Sequence, residues 1–214
     1  MKLYAVARSP FGVRVQAAAI LKGVPLELLP PPAEGLKSPA YLGVNPMGRL
    51  PTLVLDDGRA LPESEVIVEY LEQVFPEPPL LPAAPWDRAR TRLIGRVAEL
   101  YVMAPLFGLF RHLAAPKDPA ADALFVEVER GLTHVEAVLD DQGFAWGDAP
   151  TLADCALAPF LFWVQEVHRI FGRPSPIALL PKLASYEASL QTHPVFGPLL
   201  EAMADDLSAL RAAR

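Results

Sequence analysis

Ser9 stands where a run that reads as a strand, Lys2–Val6, gives way to one that reads as a helix, Val13–Lys22. A hydroxyl at such a place can cap the helix through its oxygen. It can also donate to an anion that the helix N-terminus attracts with its free N–H groups and partial positive charge. Glu63 and Ser64 precede a second amphipathic run, Ser64–Phe75, with Val66, Ile67, Tyr70, Leu71 and Val74 at helical spacing. Ser64 is expected to be the N-cap there, and the first N–H groups of the helix are open to a carboxylate. Pro51 comes immediately before the apolar stretch Thr52-Leu53-Val54-Leu55, an unusual place for a residue that lacks an N–H. Lys37 and Arg49 lie in the same part of the chain; cations in such stretches are mostly solvated.

Other chemistry-bearing residues read as structural. Cys155 is the single cysteine and sits in a very apolar stretch, where a thiol is usually buried and inert. His112, His134, His168 and His193 are too dispersed for the spacing of a metal site. Asp140-Asp141 falls at a helix end and reads as solvated, and Phe160 and Trp163 read as core. Thr151-Leu152-Ala153-Asp154 has the spacing of a capping box that opens an apolar helix.

The elements that must position these residues change character along the chain. Up to about residue 76 they are short and mixed. Strand, helix and the strand Pro25–Leu29 come first, then a short irregular helix over Ser38–Gly43. A hairpin follows, with strands Thr52–Leu55 and Arg59–Leu61 around Asp56-Asp57-Gly58, and then the helix from Ser64. A strand-helix-strand unit this compact implies parallel pairing of its strands. Pro76, Pro78, Pro79, Pro82 and Pro85 form a stiff linker, placed at 77–85. Beyond it, 86–214 reads as all helix. A long helix runs from Trp86 to about His112 and is kinked at Pro105. A second carries the stripe Phe125, Val128, Leu132, Val135 and Leu139, and the capped helix after Thr151 is the third. Two weaker ones lie near Leu179–Leu190 and Val195–Leu210. The pattern is βαβ-α-ββα, then an all-α domain.

Composition narrows the functions. Of 214 residues 52% are hydrophobic and 21% charged, ample for a core, and the net charge of -6 comes without a cationic cluster. Nucleic acid and anionic membrane surfaces call for a basic patch and are not expected partners. No apolar run is expected to reach the roughly 18–20 residues of a membrane span, and Arg8 interrupts the N-terminus too early for a signal-peptide core. With one cysteine, a cytoplasmic location is expected.

The arrangement resembles the soluble glutathione S-transferases, with a thioredoxin-like first domain. Asn45-Pro46, Gly48, Leu50-Pro51 and Leu53 match that family's N-P-x-G-x-[VI]-P-x-L segment. Glu63-Ser64 with Ile67 and Tyr70-Leu71 matches E-S-x-x-I-x-x-Y-L. Ser9-Pro10-Phe11 and Arg14 match the loop after the first strand in tau-like members, and Thr151 and Asp154 the capping box of the second domain. The resemblance implies a cis bond before Pro51, with the main chain of Leu50 presented to glutathione. It implies Ser9 as the donor that stabilises the glutathione thiolate, and Glu63 and Ser64 as the group that binds the γ-glutamyl end. Arg49 and Lys37 would meet the glycyl carboxylate. Phe11, Tyr101, Met103, Leu106, Phe107, Phe110 and Arg111 would line the pocket for a hydrophobic electrophile. A homodimer and a glutathione transferase activity without a metal are implied with them.

Departures from the family patterns sort the alternatives. Ser9-Pro10-Phe11-Gly12 occupies the place of C-P-[FY]-C in glutaredoxins, and thiol–disulfide exchange needs the protein thiolate that is missing here. Ser9 departs from the cysteine of omega-like members. Pro10-Phe11 departs from the S-S-C-S of zeta-like members, which include maleylacetoacetate isomerases. Tyr4 lies one position off the strand tyrosine of the tyrosine-type classes. Two alternatives stay open: a glutathione-dependent isomerase of the maleylacetoacetate type, disfavoured by Pro10-Phe11, and, from another functional class, a non-catalytic glutathione- or partner-binding relative, since serine is ordinary at such a turn.

Overall fold

The structure is a computed structural model that describes residues 1–113 and 118–213. Its first part is a four-stranded sheet with helices. β1 (Lys2–Tyr4) leads into α1 (Pro10–Leu21), β2 (Glu27–Leu29), α2 (Pro39–Val44), β3 (Thr52–Val54), β4 (Ala60–Pro62) and α3 (Ser64–Val74). The spatial order is β2-β1-β3-β4; β1 is parallel to β2, and β3 runs antiparallel to both β1 and β4. This is a thioredoxin-like arrangement. The ladders are only three residues long, so burial rather than strand length must hold them. Leu3 and Leu53 face each other across β1 and β3 and are fully buried, as are Val15, Ala17 and Ala18 of α1 and Ile67 and Leu71 of α3. The two helices pack against one another, and the run of alanines in α1 allows close approach.

The register brings three chain segments to one end of the sheet. Tyr4 pairs with Thr52, so the chain that leaves β1 toward Ser9 runs beside the chain that enters β3 through Leu50-Pro51. Thr52 also pairs with Pro62, so Glu63 and Ser64 emerge from β4 at that same end. The sheet topology thus gathers the stretches singled out by their chemistry.

Two compact units divide the chain. One comprises Met1–Leu80 together with the segment from Pro194 onward, the other Leu81–His193. The grouping differs from a second domain running unbroken from 86 to the C-terminus, because α9 (Phe196–Ala212) belongs to the first unit, where it packs against α1. The proline-rich stretch is also tied to that unit as far as Leu80. The ammonium of Lys22, a side chain with no exposed surface, donates to the carbonyls of Phe75 (2.6 Å) and Pro78 (2.9 Å) and pairs with Glu72 at 2.7 Å. Glu72 in turn accepts from the Leu80 N–H.

The second unit is helical: α4 (Pro85–Val97), α5 (Ala104–Leu109), α6 (Pro119–Val138), α7 (Leu152–Ile170) and α8 (Pro181–Thr192). Between α4 and α5 the chain forms a π-helical segment, Ala98–Met103, and after α5 a 3₁₀ turn, Phe110–His112. The irregularity expected at Pro105 therefore falls one turn earlier. Pro105 has no N–H for the carbonyl four residues back, that of Tyr101, and the ladder slips to five-residue spacing, as in the bond from Ala104 N–H to the Glu99 carbonyl. Gly131 of α6 lies against the Tyr101 carbonyl so closely that a Cβ there would collide with it.

The run Pro85–His112, at 28 residues, contains a window long and apolar enough for a membrane span by length and composition, contrary to the expectation of none. Half of that window is buried within the protein, as in a core helix. At the start of α7, Asp154 accepts from the N–H of Thr151 (2.7 Å), the Thr151 hydroxyl (2.8 Å) and the N–H of Ala145 (2.8 Å), which completes the capping box and pins the loop before it.

Candidate functional site

Ser9 is the N-cap of α1, in extended conformation, and its Oγ accepts from the Gly12 N–H at 3.2 Å. Its own N–H donates to the Val6 carbonyl, and its carbonyl accepts from Val13. Pro10 supplies the first helical residue, where a missing N–H costs nothing. The hydroxyl is half-buried, and since capping uses only an oxygen lone pair its hydrogen is left to donate.

The Leu50–Pro51 bond is cis. The loop before it is held by a buried polar cluster centred on the Arg49 carbonyl. That oxygen takes the Nδ2 of Asn45 at 2.9 Å and the Tyr41 hydroxyl at 2.9 Å, while the Asn45 amide also donates to Thr52 Oγ1 at 2.9 Å. Tyr41 Oη and Thr52 Oγ1 stand 3.0 Å apart, and Asn45 Oδ1 accepts from the Met47 N–H. Tyr41, Asn45 and Thr52 are almost wholly buried, so the cluster is a fixed support. Burial raises the Tyr41 hydroxyl pKa above its ordinary value, and its hydrogen-bond partners pull the other way. Gly48 has φ +56°, and a Cβ there would strike the Leu36 carbonyl and the Lys37 side chain. Leu50 itself lies outside the ladder that starts at Thr52.

At the start of α3 the structure corrects the expected cap. Glu63, not Ser64, is the N-cap residue, no side chain caps the first turn, and Ser64 is the first helical residue. Its Oγ accepts from the Arg14 guanidinium at 3.2 Å, and both residues are buried. In the sequence Arg14 is marked only by its place in the Ser9-Pro10-Phe11 motif. Nothing in the apolar pattern of its helix signals that a guanidinium turns inward. Glu63 is exposed and is the only non-glycine residue with positive φ (71°) among those described. A backbone of this kind costs on the order of 1–3 kcal/mol and is retained where the surroundings over-determine it, often at ligand sites. The uncapped N–H groups of the first turn, the strained Glu63 and the Arg14-supported hydroxyl form one polar corner.

Lys37 and Arg49 are both exposed. The Lys37 ammonium donates to the Met47 carbonyl at 2.7 Å, so it braces the loop of Asn45–Thr52. Of the residues expected around an electrophile, Phe11 is half-buried on α1. In the helical unit Phe107 and Phe110 stack in tilted geometry, centroids 5.5 Å apart, and Phe110 meets Trp163 edge-on at 5.1 Å. Phe107 and Arg111 are exposed. Tyr101 is exposed too but turns to His134 of α6, centroids 5.6 Å apart. Met103 and Leu106 depart from expectation: both are fully buried against the neighbouring helices and cannot line an open surface. Among the described residues no three His, Cys, Asp or Glu side chains stand together to hold a metal ion.

A thioredoxin-like sheet unit with a serine at the first helix start, a cis proline before the third strand and a Glu-Ser corner, joined to a helical unit, is the arrangement that the resemblance to the glutathione S-transferases implies. Comparison with known proteins agrees. Residues 3–79 match the N-terminal domain model of glutathione S-transferase and residues 118–189 the C-terminal domain model. The chain is 35% identical over 208 residues to a maleylacetoacetate isomerase of Pseudomonas aeruginosa, covering 92% of this chain and 98% of that one. It is 36% identical over 181 residues to a probable glutathione S-transferase BZ2 of Zea mays, covering 77% and 74%. A tau-class glutathione S-transferase from mango, Mangifera indica, superposes with a TM-score of 0.81 at 26% identity, covering 98% and 97%. The chain belongs to the soluble glutathione S-transferase family.

Proposed function

We propose that this protein is a glutathione transferase in which the Ser9 hydroxyl donates to the glutathione sulfur and favours its thiolate. The observation that carries the reading is the convergence of the Ser9 turn, the Leu50-Pro51 turn and the Glu63-Ser64 corner at one end of the sheet. A peptide laid along that end pairs its main chain with Leu50, places its γ-glutamyl carboxylate on the uncapped first turn of α3 beside Ser64, and its ammonium on Glu63. Arg49 and Lys37 take the glycyl carboxylate. The α1 N-terminus adds partial positive charge near the sulfur. A free thiol titrates near ~8.5, and each unit of depression corresponds to ~1.36 kcal/mol in favour of the thiolate. The protein thus contributes a stabilised anion and proximity. The thiolate attacks the electrophilic carbon, a C–S bond forms, and either a leaving anion departs or the adjacent carbanion takes a proton. Phe11, Tyr101, Phe107, Phe110 and Arg111 are proposed to meet the electrophile. The reading includes a cytoplasmic homodimer, as is typical of the family, with 1–76 as the glutathione-binding part.

A second reading, a glutathione-dependent isomerase, is favoured by the 35% identity to a maleylacetoacetate isomerase. There the thiolate adds to a conjugated double bond, the bond rotates, and elimination returns glutathione. Pro10-Phe11 speaks against it. Turnover separates the two: a transferase consumes one glutathione per product, and an isomerase consumes none. The first experiment follows the ultraviolet thiolate band as glutathione is added across pH. A thiolate at neutral pH, with stoichiometric consumption of glutathione on an aryl halide and loss of both in Ser9→Ala, is the expected result. Binding without a thiolate band, or turnover untouched by Ser9→Ala, refutes the proposal.

A further inference from the structure

We propose that Asp206, on the C-terminal helix α9, is the positioning residue of Ser9, acting through Arg8; the inference rests on the thiolate role assigned to Ser9. Asp206 Oδ2 accepts twice from Arg8, from its main-chain N–H at 3.2 Å and from its guanidinium at 2.8 Å. Arg8 immediately precedes Ser9 in the turn that links β1 to α1. The double contact therefore fixes the Ala7–Arg8 peptide unit, next to the one that carries the Ser9 N–H, as well as the Arg8 side chain. From there the constraint passes along the chain: the Ser9 N–H is held by Val6, and the Ser9 oxygen atoms are held by Gly12 and Val13. Only the hydroxyl hydrogen stays free to turn.

Asp206 is itself well placed to hold still. Its neighbours on α9, Met203 and Leu207, are buried, and α9 packs against α1. A charge-assisted pair is the stronger and more directional kind of hydrogen bond. Arg8 and Asp206 are each about one-third exposed, at 34% and 33%, so solvent screens the pair and its worth to global stability is small. Its effect is geometric. A hydrogen bond to a sulfur anion weakens steeply once its angle falls away from linearity, so a loosened Ser9 turn stabilises the thiolate less. A second effect has the opposite sign: without Asp206, the Arg8 cation loses its counter-charge one residue from Ser9 and would lower the thiol pKa. The direction of the shift therefore distinguishes positioning from charge.

The test uses Asp206→Ala and Asp206→Glu in the full chain. In ligand-free protein, amide hydrogen exchange at Ser9, Gly12 and Val13 is expected to quicken about tenfold in Asp206→Ala, with the rest of α1 unchanged, and to return toward wild type in Asp206→Glu. With glutathione bound, the thiol pKa is expected to rise by about one unit in Asp206→Ala, a loss of kcat/KM that approaches about tenfold at pH values below both thiol pKa values. That loss is recovered at alkaline pH, which a merely destabilised protein would not do. Unchanged exchange at those amides overturns the inference, as does an unchanged or lowered thiol pKa. Absence of a thiolate in the wild type instead refutes the role of Ser9, and the exchange measurement still decides whether Asp206 holds the turn.

Discussion

Ser9 uses the two ends of its hydroxyl differently, and substitutions can separate them. The oxygen accepts from Gly12 and caps α1; in the proposed mechanism the hydrogen donates to the sulfur. Ser9→Ala removes both. Loss of the cap costs about 1 kcal/mol, which for a chain of this size lowers Tm by about 2–4 °C. Loss of a hydrogen bond to an anion costs about 1.5–3 kcal/mol, or roughly 1–2 units of thiol pKa at ~1.36 kcal/mol each. Conjugation at a pH below both thiol pKa values should therefore fall about 10- to 100-fold, and less at neutral pH. Ser9→Asp crosses these effects. Aspartate is among the best caps and its charge suits the helix N-terminus, so stability holds or rises. It has no hydrogen to donate and sets a negative charge beside the sulfur, so the thiolate is lost more completely than in Ser9→Ala. Ser9→Thr keeps both functions. The assay pairs thermal unfolding with the ultraviolet thiolate titration on all four proteins. A Ser9→Asp protein that still carries a neutral-pH thiolate, or one that loses stability in step with Ser9→Ala, would show that the assignment of donor and acceptor is wrong.

Three further outcomes follow from buried polar groups. Arg14→Met removes the donor to Ser64; glutathione KM should rise about tenfold, on the scale of one hydrogen bond to a charged group, with kcat changing less. A change in kcat alone would place Arg14 elsewhere in the reaction. Lys22→Met leaves the Glu72 carboxylate buried without its cation, and denaturant unfolding should report a loss of about 3–5 kcal/mol, partly regained in Lys22→Met/Glu72→Leu. A loss below about 1 kcal/mol would mean that water reaches the pair. His168 is buried, with Nδ1 donating to the Val164 carbonyl at 2.8 Å and Nε2 without a hydrogen-bond partner. Burial pushes its pKa below the ordinary value. The unfolded chain therefore binds the proton first, so the contribution of His168 to stability is complete above pH ~6.5 and is lost as pH falls through the folded pKa. His168→Leu should flatten the urea midpoint between about pH 7 and 5. An equal slope in both proteins would rule this histidine out.

The half of the candidate site that is legible in sequence is the half made by the ends of secondary-structure elements. Ser9, Pro51 and Glu63-Ser64 each mark a boundary between elements, and boundaries carry their own chemistry in a proline, a hydroxyl or an acid. Once the strands pair in register, such residues have little freedom in where they fall. Side-chain direction is less visible. Ser64 was placed correctly in the chain but misread as a cap, because its partner, Arg14, comes from another helix 50 residues away. Asp206 lies 198 residues from Arg8 and gives no local signal.

In the helical half, the burial of Met103 and Leu106 has a different physical cause. A periodic reading from Trp86 to His112 assumes about 100° per residue throughout. The π-helical segment Ala98–Met103 inserts an extra residue into the ladder, and the faces after it rotate relative to those before. Met103 and Leu106 accordingly turn into the core, while Phe107 keeps an exposed edge and Tyr101 swings to His134. The cause of the slip, Pro105, was in plain sight, but its consequence appears four residues upstream at the Tyr101 carbonyl, where Gly131 lets α6 lie close. A proline that removes one donor therefore helps decide which aromatic rings the helical unit leaves exposed. On the proposed transferase reading, electrophile preference should respond to Pro105→Ala as well as to substitution of the rings, and an unchanged preference would separate the slip from the pocket.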